Sequence, residues 1–172
     1  MITGVVSRTY RVLLLFMFFL LLVSGGVARS GEDPKTFVPP DDALPLGYAE
    51  LGGEGNAYLA ERLCTGVRKG SFVPLIQEGH SVPAGNGQVF GVEPGDSSII
   101  LTILKGSNLR PEDNPLLARV SIHGVSSKPG KTGYIAAYLY VGTDGRVLFW
   151  ARNRKTGGKL KVRIQEKAAE GE

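Results

Sequence analysis

Between Gln88 and Ile164 the chain falls repeatedly into a two-residue hydrophobic period, and this alternation restricts the available folds more than any other feature. In one segment Ile135, Ala137, Leu139 and Val141 alternate with Ala136, Tyr138 and Tyr140. In the last, Leu160, Val162 and Ile164 alternate with Lys161, Arg163 and Gln165. Successive side chains of a strand point to opposite faces, so such a period means one buried face and one wet face. The run from Ser97 to Gly106 differs. It is short, apolar and rich in β-branched residues between turn residues, which predicts a strand buried on both faces. Thr143-Asp144-Gly145 and Thr156-Gly157-Gly158 supply hairpin turns, because glycine tolerates the positive φ that such turns require. The 24 glycines and 10 prolines cluster between the strand-like runs. The expectation is an all-β fold, an antiparallel β-sandwich with consecutive strands across residues 98–165.

The flanks read differently. Arg8 and Arg11 precede an unbroken run of twelve apolar residues from Val12 to Val23, and small residues follow at Gly26 and Ala28. That is the layout of a cleaved signal peptide over residues 1–28. A membrane span needs about twenty apolar residues. The expected location is therefore the secretory lumen or the extracellular space (the periplasm in a bacterium), with no membrane contact after cleavage. Removing residues 1–28 takes away two of the 20 basic residues and no acid, leaving 18 against 16. A near-neutral chain gives no electrostatic reason to bind nucleic acid. Residues 29–42 form a Pro-rich flexible leader, residues 43–167 the sandwich and residues 168–172 a tail. Cys64 is the single cysteine, so no intrachain disulfide forms.

Residues 54–70 break the strand pattern. Leu59, Leu63 and Val67 recur every fourth residue with Glu61, Arg62 and Arg68 elsewhere, which predicts a short helix over Ala57 to Lys69 capped by Asn56. Cys64 lies beside that stripe. An isolated helix of this length needs a surface to pack on, so it is expected to lie on the sandwich or over a binding cleft.

Catalytic patterns are thin. His80 and His123 are the only histidines, one in a turn and one on a wet strand face, and the carboxylates are scattered. Zinc lacks a ligand set, and no Gly-rich phosphate loop carries the Lys and Ser/Thr it needs. Neither an enzyme nor a cofactor is expected. Arg152, Arg154, Lys155, Lys159, Lys161, Arg163 and Lys167 crowd the C-terminal strands with only Trp150 near them, a pattern of charges that guard an edge strand.

The order of motifs resembles the peptide-binding β-domain of the seventy-kilodalton heat-shock chaperone family. Leu44-Pro45-Leu46-Gly47-Tyr48, Leu51-Gly52-Gly53, His80-Ser81-Val82-Pro83, Gln88-Val89-Phe90, Ile99 to Gly106, Glu112-Asp113-Asn114-Pro115-Leu116-Leu117 and Thr143-Asp144-Gly145-Arg146-Val147 follow in sequence. The resemblance covers about residues 42–166 outside the insert, without an ATPase domain or helical lid. It implies a channel that binds extended polypeptide by its backbone and selects one large aliphatic side chain. Carried over, the pocket is Tyr48, Phe90, Ile99, Leu101 and Ile135, and Leu51 and Val92 bridge over the peptide. Tyr48 narrows this pocket, and Glu50 stands where a small hydroxyl residue is usual. The implied function is nucleotide-independent binding of unfolded, aliphatic-rich segments, as a holdase or as an accessory to a full-length chaperone. The alternative is an adaptor module that has lost the cleft and uses its insert as a protein-contact surface.

Overall fold

A computed structural model describes residues 37–67, 72–125 and 130–167. The signal-peptide segment, most of the leader, the residues after Val67 in the expected helix and the tail lie outside the described residues. Eleven strands are present: β1 (Leu44–Tyr48), β2 (Leu51–Gly52), β3 (Tyr58–Leu59), β4 (Leu63–Gly66), β5 (Val73–Ile76), β6 (Ala84–Val92), β7 (Ser98–Lys105), β8 (Leu116–His123), β9 (Gly133–Val141), β10 (Arg146–Asn153) and β11 (Lys161–Lys167). One sheet has the order β1-β10-β9-β6, the other β11-β8-β7-β4-β5, and β2 and β3 form a small hairpin. The pairings are antiparallel throughout. This is the expected sandwich.

Alternation explains the core. Ile135, Ala137, Leu139 and Val141 of β9 are fully buried, as are Phe149 of β10 and Val120 and Ile122 of β8. The β9–β10 turn is the one its residues predict. Gly145 takes φ +76°, and the Asp144 carboxylate accepts the Arg146 N–H at 3.0 Å. A side chain at Gly145 would also stand 2.8 Å from the Ala49 carbonyl, so the glycine is what admits the β1–β2 connection there. Asn114 organises the β7–β8 connection. Its Oδ1 accepts the Asn108 N–H at 2.9 Å, and its Nδ2 donates to the carbonyls of Arg110 and Pro111, each at 3.1 Å.

Three expectations need correction. First, β7 is not buried on both faces: Leu101 and Ile103 point into the core, but Ile100 on the outer face is 46% exposed. Second, β11 does not return beside β10. It crosses to the other sheet and pairs with β8, with Val162 opposite Ile122 and Ile164 opposite Val120. There it is an edge strand carrying Lys161, Arg163 and Lys167, consistent with the edge role read for those charges.

Third, the helix is absent, and no α-helix occurs among the described residues. The four-residue spacing of Leu59 and Leu63 comes from two short strands separated by a bend, each placing one leucine in the core at 0% exposure. The backbone is satisfied across strands: Leu59 N–H donates to His80 O and Ala60 N–H to Glu50 O, both at 2.9 Å. Asn56 is not a helix cap but a left-handed residue at φ 54° in a 3-10 turn, Glu54–Asn56. Cys64 is inside β4, between β5 and β7, not on a surface helix. Replacing Leu59 with Ala is therefore expected to lower the unfolding free energy by about 3 kcal/mol in a denaturant titration, the cost of a core cavity. A leucine on a surface helix would cost well under half of that.

A candidate binding end of the sandwich

The two ends of the sandwich differ. At one end Glu61, 9% exposed, ties three strands together. Its Oε1 accepts the Glu50 N–H at 2.9 Å and faces Lys105 Nζ at 3.6 Å, while Lys105 Nζ lies 3.5 Å from the Tyr48 carbonyl. The β2–β3 hairpin closes over the same end, with the Val82 N–H donating to Ala57 O at 3.1 Å. β7, which ends here at Lys105, begins at Ser98, seven residue steps or roughly 23 Å away. At that opposite end β6 stops at Val92 and β8 at His123, and β4 runs toward it, antiparallel to β7. Among the described residues, 93–97, 124–125 and 130–132 lie there, and Val67 leaves β4 in that direction. Ser97 O accepts the N–H groups of Gly124 and Val125 at 3.2 and 3.3 Å, which fastens two of these loops together.

This geometry sorts the site residues taken from the resemblance. Phe90 and Ile135 are direct register partners on β6 and β9. Ile99 and Leu101 share the inner face of β7, and all four belong to or pack on the same core at the loop end. Leu101 and Ile135 are fully buried, Phe90 nearly so, and Ile99 keeps part of its surface. Val92 is buried at this end as well. Tyr48 and Leu51 are not brought to it. Tyr48 pairs with Arg146 and is 61% exposed at the other end, and Leu51 approaches Gly145 there. Leu51 and Val92 therefore do not form a bridging pair: they stand at opposite ends of the sandwich. Nor does the β2–β3 hairpin lie over a cleft at the loop end.

The strand that runs toward the loop end beside β7 is β4. It lies between β7 and β5, with Thr65 opposite Ile103 and Gly66 opposite Thr102. Thr65, on the same face as Ile103, has its Oγ1 buried without a hydrogen-bond partner among the described residues. Val67, at the exit of β4, is 40% exposed. The sequence reading missed Thr65 and Val67 because the insert was taken to run on to Gly70. The available signal was the β-branched pair Thr65 and Val67, which favours strand over helix.

An orphaned hydroxyl in an apolar core carries an uncompensated desolvation cost. Thr65→Val is expected to raise the unfolding free energy by about 1 kcal/mol, read as a higher denaturant midpoint with unchanged slope. Cys64 gives a pH signature. Burial pushes its thiol pKa up, opposed in part by the Arg62 charge. The unfolded chain then loses the proton first, so stability is full below the ordinary thiol range near pH 8.5 and falls as pH rises from there toward the folded value. Comparing wild type with Cys64→Ala between pH 7 and 10 isolates this: the variant is expected to lose the thiol's share of the slope.

No protein-family model matches the chain. The Chaperone protein DnaK of Buchnera aphidicola subsp. Schizaphis graminum (strain Sg) is 28% identical over 145 residues, covering 78% of this chain and 23% of the relative. The Chaperone protein DnaK of Anaplasma marginale (strain St. Maries) is 26% identical over 145 residues, covering 78% and 22%. The chain thus spans less than a quarter of the length of these relatives. Through its antiparallel β-sandwich, and in sequence over most of its length, the chain is similar to the peptide-binding β-domain of the DnaK chaperones, the seventy-kilodalton heat-shock family.

Proposed function

We propose that this chain binds extended, aliphatic-rich polypeptide segments at the loop end of its sandwich, without nucleotide, in an exported compartment. The observation that carries the reading is where apolar surface is left uncovered. Val67, where the chain leaves β4 toward that end, is 40% exposed, and Ile99 on the inner face of β7 keeps part of its surface, whereas the exposed Ile100 and Tyr134 lie on the outer faces of opposite sheets. Phe90, paired with Ile135, continues the apolar surface from Ile99 into the core. A side chain seated over Ile99 and Val67 gains roughly 1.5–3 kcal/mol from burial. Loop backbone groups supply hydrogen bonds that do not depend on the bound sequence. The likeness to chaperones over the whole sandwich supports the same class of partner, met by the chain alone or as an accessory to a full-length chaperone.

A second reading has its own observation. Tyr48 of β1 and Tyr58 of the insert are 61% and 43% exposed at the hairpin end, giving that end an aromatic surface suited to a folded protein partner. The two readings separate in one experiment. Titrating residues 29–172 into a fluorescent leucine-rich peptide is expected to give micromolar affinity, about −8 kcal/mol, unchanged by ATP. Val67→Glu should weaken binding about tenfold, while Tyr48→Ala should leave it unchanged. Absence of binding by the folded protein selects the adaptor reading, and loss on Tyr48→Ala alone overturns the placement of the peptide at the loop end.

A further inference from the structure

On the other lateral edge of the sandwich, where β1 and β11 face each other, a cavity of about 390 Å³ opens between the chain leading into β1, strand β10 and the start of β11. Its floor is Leu44, Phe149, Trp150, Leu160 and Val162. Its rim is charged: Arg152, Lys159 and Lys161 against the single acid Asp42. We propose that this cavity is a binding site for a free amphipathic carboxylate, an acyl chain of about ten carbons with its head group at the cationic rim.

Three observations meet here. The hollow opens to solvent over an apolar floor, so an apolar body seated in it takes that floor out of water. At roughly 30 Å³ per non-hydrogen atom, the liquid share of a water, the cavity takes about a dozen such atoms. That is the size of decanoate and too small for a stretch of polypeptide. The rim supplies the matching charge. Lys159 is paired with Asp42 across the mouth, which leaves two further cations. Among the described residues Arg152 has only a long contact to the Gly157 carbonyl, at 3.5 Å, and Lys161 has no recorded partner. An apolar floor beneath two cations selects a molecule with an apolar body and one negative end.

The fold explains why the hollow stays open. Pairing of β1 with β10 begins at Leu44 opposite Phe149, and upstream of it the chain turns outward. The Ala43 N–H donates to Pro40 O, and Phe37 settles on the outer face of the sheet against Trp150, ring centroids 5.2 Å apart. Gly85 makes room for that ring, since a Cβ there would sit 2.1 Å from it. The chain from Phe37 to Ala43 thus runs along one side of the cavity.

Trp150 is the only tryptophan and lines the site, so intrinsic fluorescence reports on it directly. Adding decanoate to the full chain is expected to give a saturable change in tryptophan emission with Kd on the order of 100 µM, ordinary for a ligand of this size. Decanol should bind at least fivefold more weakly. Lys161→Gln, an exposed and fold-neutral change, combined with Arg152→Gln, should cost about fivefold for decanoate and nothing for decanol. Val162→Phe, which fills the floor, should abolish the signal while far-ultraviolet circular dichroism stays unchanged. The leucine-rich peptide should not compete. The proposal is overturned if emission does not saturate, or if decanoate and decanol bind equally. It is overturned too if the charge variants bind decanoate as wild type does, if an acidic aliphatic peptide displaces decanoate, or if the protein pellets with phosphatidylglycerol vesicles while free decanoate leaves emission unchanged.

Discussion

The two sheets are joined through the side chains that meet between them. Cys64 is the single cysteine, so no disulfide links the sheets, and the only ion pair holding a buried carboxylate is that of Glu61 with Lys105 among the described residues. What holds the layers is apolar contact: Ile135, Leu139, Val141 and Phe149 from one sheet against Leu101, Ile103, Val120 and Ile122 from the other, all fully buried. Close-packed interiors of this kind tolerate little loss of volume. Everything else, including which loops end up beside one another, depends on keeping that interface in register.

Given that interface, the asymmetry between the ends follows from polar groups. At the hairpin end Glu61 joins the β1–β2 connection to Lys105 of β7, and Asn114 closes the β7–β8 connection on itself through Asn108, Arg110 and Pro111. Such networks make one arrangement unique because a half-satisfied one is costly. At the loop end the Ser97 carbonyl joins two segments, and Val67 and Ile99 are left partly facing solvent. The cavity at the β1–β11 edge arises from the same economy: the charges that protect an edge strand also form the rim of an apolar hollow.

The sandwich itself was legible because alternation is a local signal. One residue's shift would turn the whole buried set of β9 to solvent, so its register is written into the order Ile135, Ala137, Leu139, Val141. The turn at Gly145 and the charged edge at β11 were legible for similar reasons. Of the residues expected at the site, the structure brings Phe90, Ile99, Leu101 and Ile135 together. Tyr48 and Leu51 were misplaced. Their motif resembles the family's opening strand, but the chain between Leu51 and Leu63 first folds a hairpin at the far end and only then enters the strand beside β7.

Periodicity misled at residues 54–70 because Leu59 and Leu63 do enter one core, but from two strands joined by a bend. A four-residue spacing cannot distinguish one helical face from two short strands, since both put every fourth residue inside. That choice is made by partners distant in sequence: the His80 carbonyl, which accepts the Leu59 N–H, and Leu104 and Pro74, which stand opposite Cys64 on the two strands flanking β4. By itself the sequence determined which residues are buried and that they alternate along strands, because side-chain transfer from water depends on each residue's own chemistry. Only the tertiary structure decided which loops share an end, whether the segment after Leu51 became helix or sheet, and where apolar surface remained uncovered. Those outcomes depend on which strand edges were free to accept a partner, and no single segment carries that information.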